Sequence, residues 1–156
     1  MRPWSPKIDL ARVDAAVTAL RFPDAVFTTC PWQPRAAVET GLRQWLRCCG
    51  AALRDDQIIG MPSHAVDEAW HGFILCTAMY ARFCESAYGR FLHHIPDGVG
   101  SGGDPMDVQL ARTVVAWSLV AKPGERCELW DLDARVGVPE PWGLPAAQIA
   151  VIEARL

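Results

Sequence analysis

One stretch of the chain, Met61 to Asp97, reads MPSHAVDEAWHGFILCTAMYARFCESAYGRFLHHIPD and holds all four histidines and both tyrosines of the protein. It predicts a helix. Ser63 is a good N-cap directly after Pro62, the pattern runs to about Tyr88, and Gly89 supplies a left-handed stop. With His64 at 0° and about 100° per residue, His71 falls at about −20°, Asp67 at about −60° and Glu68 at about +40°. Phe73, Thr77, Tyr80 and Cys84 fall on the opposite side. A helix apolar over most of its circumference is expected at the centre of a fold, touched by neighbours on several sides.

Further helices are expected around it. Ile8, Val13, Val17 and Leu20 mark one at 8–21, ended by Pro23. Val38, Leu42, Trp45, Leu46, Cys49 and Leu53 give one apolar face to a second at about 34–54, with Pro34 in its first turn. Arg35, Arg43, Arg47 and Arg54 lie largely off that face and read as solvated. Asp104-Pro105 opens a helix at about 105–121. Shorter ones are expected at 126–136 and from Pro145 to Ala154. Nothing reads as a pair of strands. The expected fold is all-α, a single compact domain over 1–156 with five or six helices around the one at about 63–88.

Apolar residues make up 51% of the chain, enough for a sizeable core, and the net charge is −3. No basic block marks a nucleic-acid surface. No apolar run suits a bilayer, and MRPWSPKIDL lacks the core of a secretion signal. The expectation is a cytoplasmic protein whose partner is a small molecule or another protein, with neither nucleic acid nor membrane. The six cysteines form no Cys-x-x-Cys pair and read as reduced, mostly buried hydrophobes. Glu125, Glu128, Asp131 and Asp133 read as a solvated acidic face. Gly98-x-Gly100-x-x-Gly103 has the spacing of a dinucleotide fingerprint. An Ile-Pro-Asp turn precedes it where a strand is needed, and Asp104 puts negative charge where phosphate would sit. It reads as a flexible loop whose glycines would permit closure over the histidines.

The candidate chemistry lies on the polar stripe of the central helix. Asp67 and His71 are four residues apart and share a face. They can bind one cation, or the carboxylate can orient the ring. A metal site needs a third ligand, and His93 and His94 are the available donors. His71 to Tyr88 is roughly 26 Å of straight helix, whereas six residues from Tyr88 span at most roughly 20 Å. With side chains and a metal bridging roughly another 8–10 Å, the histidine pair reaches back only if 89–94 runs nearly straight along the helix, and easily if the helix frays early. Neighbours in an extended segment point to opposite sides, so one of the two is expected to face the helix. Tyr80 and Cys84 lie on the far side and read as core.

The strings Pro62-Ser63, Val66-Asp67-x-x-Trp70-His71-x-Phe73-Ile74-Leu75-x-Thr77-x-x-Tyr80-x-x-Phe83-Cys84 and Gly89-x-Phe91-x-His93-His94-x-Pro96 are similar to the bacterial short members of the glycine-rich domain-containing protein-like family. The resemblance covers about a quarter of the chain. It implies a helical domain in which Asp67, His71 and the His93-His94 pair are used, and it carries no enzymatic activity.

Two functions follow. In the first, Asp67, His71, His93 and His94 supply ligands to a divalent transition metal. Zinc, iron and manganese all accept mixed histidine and carboxylate donors. If the metal is catalytic, Glu68 is the nearest spare base. In the second, Asp67, His71 and His94 form a buried hydrogen-bond network that fixes 89–97 on the helix of an interaction module without chemistry.

Overall fold

The computed structural model describes residues 7–94 and 104–156. Among them are seven α-helices and no strand: α1 Leu10–Ala19, α2 Arg35–Arg54, α3 His64–Leu75, α4 Thr77–Tyr88, α5 Met106–Val120, α6 Leu132–Val136 and α7 Ala146–Glu153. A 3-10 turn, Asp24–Phe27, joins α1 to α2. The all-α class is the one expected. The glycine-rich stretch at 98–103 falls outside the described residues.

The stretch 63–88 lies in the core as expected, and α2 shares the centre with it: twelve residues of each are buried, and α2 packs against α1, α3, α4, α5 and α6. The single apolar stripe of its sequence understates this, because long polar side chains complete its buried surface. Arg47, expected in solvent, is buried, with Nη2 2.5 Å from Glu125 Oε2 and Nη1 donating to the Val120 carbonyl. Arg43 donates to the Val17 and Leu20 carbonyls at the end of α1, where cations are favoured. Apolar stems cover the helix and the charged heads reach its neighbours' ends.

The expected continuous helix at 63–88 is broken at Cys76, whose φ of −79° and ψ of 64° leave the helical region. Neither proline nor glycine marks the break, so the pattern of the sequence carries no sign of it. The Cys76 N–H closes a tight turn onto the Phe73 carbonyl, and its own carbonyl accepts from the Tyr80 N–H as α4 starts. The rings of Phe73 and Tyr80 pack edge to face across the bend, 5.0 Å apart, a favoured aromatic geometry. After the bend α4 lies against α1, and Arg12 of α1 donates to the Glu85 and Ser86 carbonyls in its last turn. Gly89, at φ 68°, ends α4 in the left-handed conformation expected of it.

Two close approaches fix α3. A side chain at Gly72 would put its Cβ 1.8 Å from the Val26 carbonyl oxygen, so the 3-10 turn packs backbone to backbone on α3. A Cβ at Gly41 would meet Val66, where α2 and α3 touch. The start of α3 is held by Asp133, which is buried and not part of a solvated acidic face. Its carboxylate accepts from Ser63 Oγ and from the backbone N–H groups of His64, Ala65 and Trp142. Ser63 Oγ in turn accepts from the Val66 N–H, as an N-cap does. One carboxylate from the C-terminal part of the chain thus satisfies two of the orphan N–H donors of α3, with Ser63 taking the Val66 N–H.

Candidate metal centre

The bend at Cys76 sets the geometry of the histidines. Residues 90–94 leave α4 and run back along α2 and α3. Two attachments hold them. Arg90 Nη2 donates to the Leu53 carbonyl near the end of α2. At the other end the Tyr80 hydroxyl donates to the Leu92 carbonyl, 2.7 Å away, and accepts from Trp70 Nε1 at 3.2 Å. Tyr80 is fully buried, and a buried tyrosine hydroxyl needs such partners. Burial raises its pKa far above the ordinary value, so the phenol stays protonated and remains a donor.

The segment delivers His94 to the N-terminal half of α3. His94 Nε2 lies 3.1 Å from Asp67 Oδ1, and the His94 ring sits 4.7 Å from the Trp70 ring and 4.3 Å from that of His71. His71 Nδ1 is 3.8 Å from Asp67 Oδ2. One ligand atom from each of Asp67, His71 and His94 lies within 4.8 Å of the others. Donors about 2.0–2.2 Å from a tetrahedral ion stand about 3.4 Å apart. Closing the set to that spacing falls mainly to His71, whose side chain is 48% exposed, against 18% for Asp67 and for His94. These three residues fit a metal in number, chemistry and reach.

The other two candidates lie elsewhere. His93 is exposed, its ring beside that of Phe91 at 4.8 Å, and it gives no atom to the cluster. The alternation of an extended segment sends it the other way. Glu68, expected as a spare base, is already engaged. Its Oε2 accepts from Trp32 Nε1 at 2.7 Å and its Oε1 lies 2.8 Å from His64 Nε2. It belongs to a second polar group around His64, whose ring also packs against Trp142. The 100° between successive helical residues separates Asp67 from Glu68.

Asp67, His71 and His94 line a cavity of about 990 Å³. Its floor is α2, from Trp45 to Leu53. Residues 90–94 form one wall, and the segment 57–62 with the start of α5 forms another. Cys49 also lines it, but burial pushes that thiol well above its ordinary pKa, so it offers no thiolate to a metal at neutral pH. Cys84, behind Tyr80, is raised for the same reason. Among the described residues all six cysteines are free, and all but Cys76 are buried.

Reading the sequence missed Trp70 and Tyr80 as the pair that positions His94, and it missed the cavity. A clue to the first was present: two aromatic residues with polar tips, placed in what reads as core, each need a partner. The cavity left no local trace, since its walls come from six separate stretches of the chain.

Residues 26–121 match the family model described as UCP032817-like, a description that names no activity. This overturns the resemblance to the glycine-rich domain-containing protein-like family, which rested on a short stretch of α3, α4 and the residues after them. No curated protein and no solved structure matches the chain. The matched span includes Asp67, His71 and His94 and well over half of the sequence, and the chain belongs to the UCP032817-like family.

Proposed function

We propose that the protein binds one divalent transition metal through Asp67, His71 and His94. The observation that carries this reading is the convergence of two imidazoles and a carboxylate, from α3 and from a segment 27 residues away, to within 4.8 Å of one another. Two nitrogens and one oxygen suit zinc, iron or manganese. Three protein ligands leave coordination positions for a further molecule, and all three residues line the cavity. A metal bound there would supply a Lewis acid beside an apolar chamber. The chain's own contribution is orientation: Trp70 and Tyr80 hold the backbone that carries His94, as the surroundings of metal ligands do elsewhere.

Elemental analysis of protein purified without a histidine tag tests the reading. The expected result is close to one equivalent of a single transition metal, or a rise in melting temperature when one is added. Less than about a tenth of an equivalent of every such metal, with no thermal shift from any, overturns it.

One observation favours a second reading. His94 and Asp67 already share a hydrogen-bonding distance, and the Trp70–Tyr80–Leu92 chain holds the returning segment without a metal. In that reading the cluster is a structural network of a helical interaction module. His71→Ala separates the two. If a metal is bound, a chelator reproduces most of the stability loss in the wild type and does little to the variant. If the network is structural, the variant loses the same stability with or without chelator.

A further inference from the structure

The cavity has a length, a polarity and a charge at each end. Arg90 is tied to Leu53, and His94 lies on Trp70, whose ring packs 5.5 Å from that of Trp45. Trp45 and Leu53 are about 12 Å apart along α2 at 1.5 Å per residue. An extended run from Arg90 to His94 covers about 13 Å. The two estimates agree, so the segment lies along the helix and the chamber between them is about 12 Å long. Its inner surface is apolar, with Trp45, Leu53, Ile59, Met61, Met106 and Leu110 among the lining side chains. Gln57, His93 and Gln109 also line it. Its charged groups lie apart, with Asp67 beside His71 and His94 at one end and the guanidinium of the exposed Arg90 at the other. One Arg90 N–H group is spent on the Leu53 carbonyl, and a guanidinium carries five.

We propose that this cavity binds an anionic amphiphile, a carboxylate on an apolar body about 12 Å long, with the head group on Arg90 and the far end at Asp67, His71 and His94. A volume of about 990 Å³ admits a ring system as well as a straight chain, and it is at the upper end of what small-molecule sites enclose. The aromatic floor favours flat or extended apolar bodies. That the far end is the part presented for chemistry rests on the metal reading; the binding itself does not.

Three probes of matched shape test the proposal on the full chain: pyrenebutyrate, pyrenebutanol and a pyrene-bearing quaternary ammonium. The readout is energy transfer from Trp45, Trp70 and Trp142, which line the cavity. The expected result is saturable binding of the carboxylate, tighter than the alcohol by about tenfold and than the cation by more. Arg90→Gln should remove that preference, bringing the carboxylate to within about threefold of the alcohol measured in the same variant. Leu110→Trp should weaken all three probes by filling the chamber, and circular dichroism should show it folded. Equal binding of the three, no change of preference in Arg90→Gln, or no saturable binding below ~1 mM overturns the proposal. Repeating the titration with chelator and with His71→Ala keeps the two readings apart. Carboxylate binding that survives both while no metal binds rejects the metal and retains the amphiphile. Metal uptake without probe binding does the reverse.

Discussion

His94 Nε2 and Asp67 Oδ1 meet at 3.1 Å although 27 residues of chain separate them. Asp67→Asn keeps an oxygen that can accept a hydrogen bond and removes the charge a metal needs. Its metal affinity should fall by about 100-fold or more, beyond what loss of a supporting group costs. Its stability without metal should change by less than about 1 kcal/mol. Calorimetric titration and urea unfolding measure the two separately.

Tyr80→Phe removes one oxygen and leaves Trp70 Nε1 and the Leu92 carbonyl without their partner. We expect a loss of about 1–3 kcal/mol, the cost of unsatisfied buried groups. Metal affinity should also drop by about tenfold, because the segment bearing His94 loses its inner attachment. A variant as stable as the wild type would show that the attachment at Arg90 suffices.

Asp133 accepts from the Trp142 N–H and holds the start of α3 through three hydrogen bonds. Asp133→Ala strands those donors at a buried helix end and should cost about 3 kcal/mol in denaturant unfolding. Asp133→Asn keeps one acceptor oxygen and should cost less. Both should weaken metal binding together with stability, since the axis of α3 carries Asp67 and His71.

Acid sensitivity should trace in part to Glu125. Burial pushes its carboxyl upward, but hydrogen bonds from Arg47, the Lys122 N–H and Gln44 together outweigh burial and hold it below the ordinary 4.5. A folded value below the unfolded one gives stability that is complete above about pH 4.5 and lost as the pH falls through the folded value. Glu125→Gln should therefore be less stable than the wild type at neutral pH. The gap should narrow on acidification below about pH 4.5, as followed by melting temperature against pH.

The thiols should titrate late. Burial raises Cys30 to about 11 and Cys127 to about 12, with Cys48 and Cys49 well above their ordinary 9.0. At pH 8 iodoacetamide should modify the half-buried Cys76 first and the other five only on unfolding. Unfolded thiols ionise from about pH 9 upward while the folded ones do not, so stability should decline over that range.

Much of this arrangement is legible in the sequence. The periodicities around Val38–Leu53 and Met106–Trp117 give their helices within a residue or two, and Ser63 and Gly89 act where their chemistry places them. The alternation rule explains why His94 turns inward and His93 does not. What escapes is long-range. Arg47 looks solvated until Glu125 arrives from the other half of the chain. Asp133 looks like one more surface acid until four donors surround it. The break at Cys76 has no local marker because packing across Phe73 and Tyr80 favours it, and that packing exists only in the folded state. The assignment of the family on a short string failed for a related reason: a few residues on one helix say little about the remaining surfaces.

The elbow at Cys76 makes the length of α4 a spacer. Every residue added between the elbow and Gly89 would lengthen that arm by about 1.5 Å and swing its exit by about 100°. A single insertion there would aim the outgoing strap away from Asp67 and carry its imidazole out of reach. Relatives that keep the triad are thus constrained to conserve the count of residues from Cys76 to His94 more strictly than their identities.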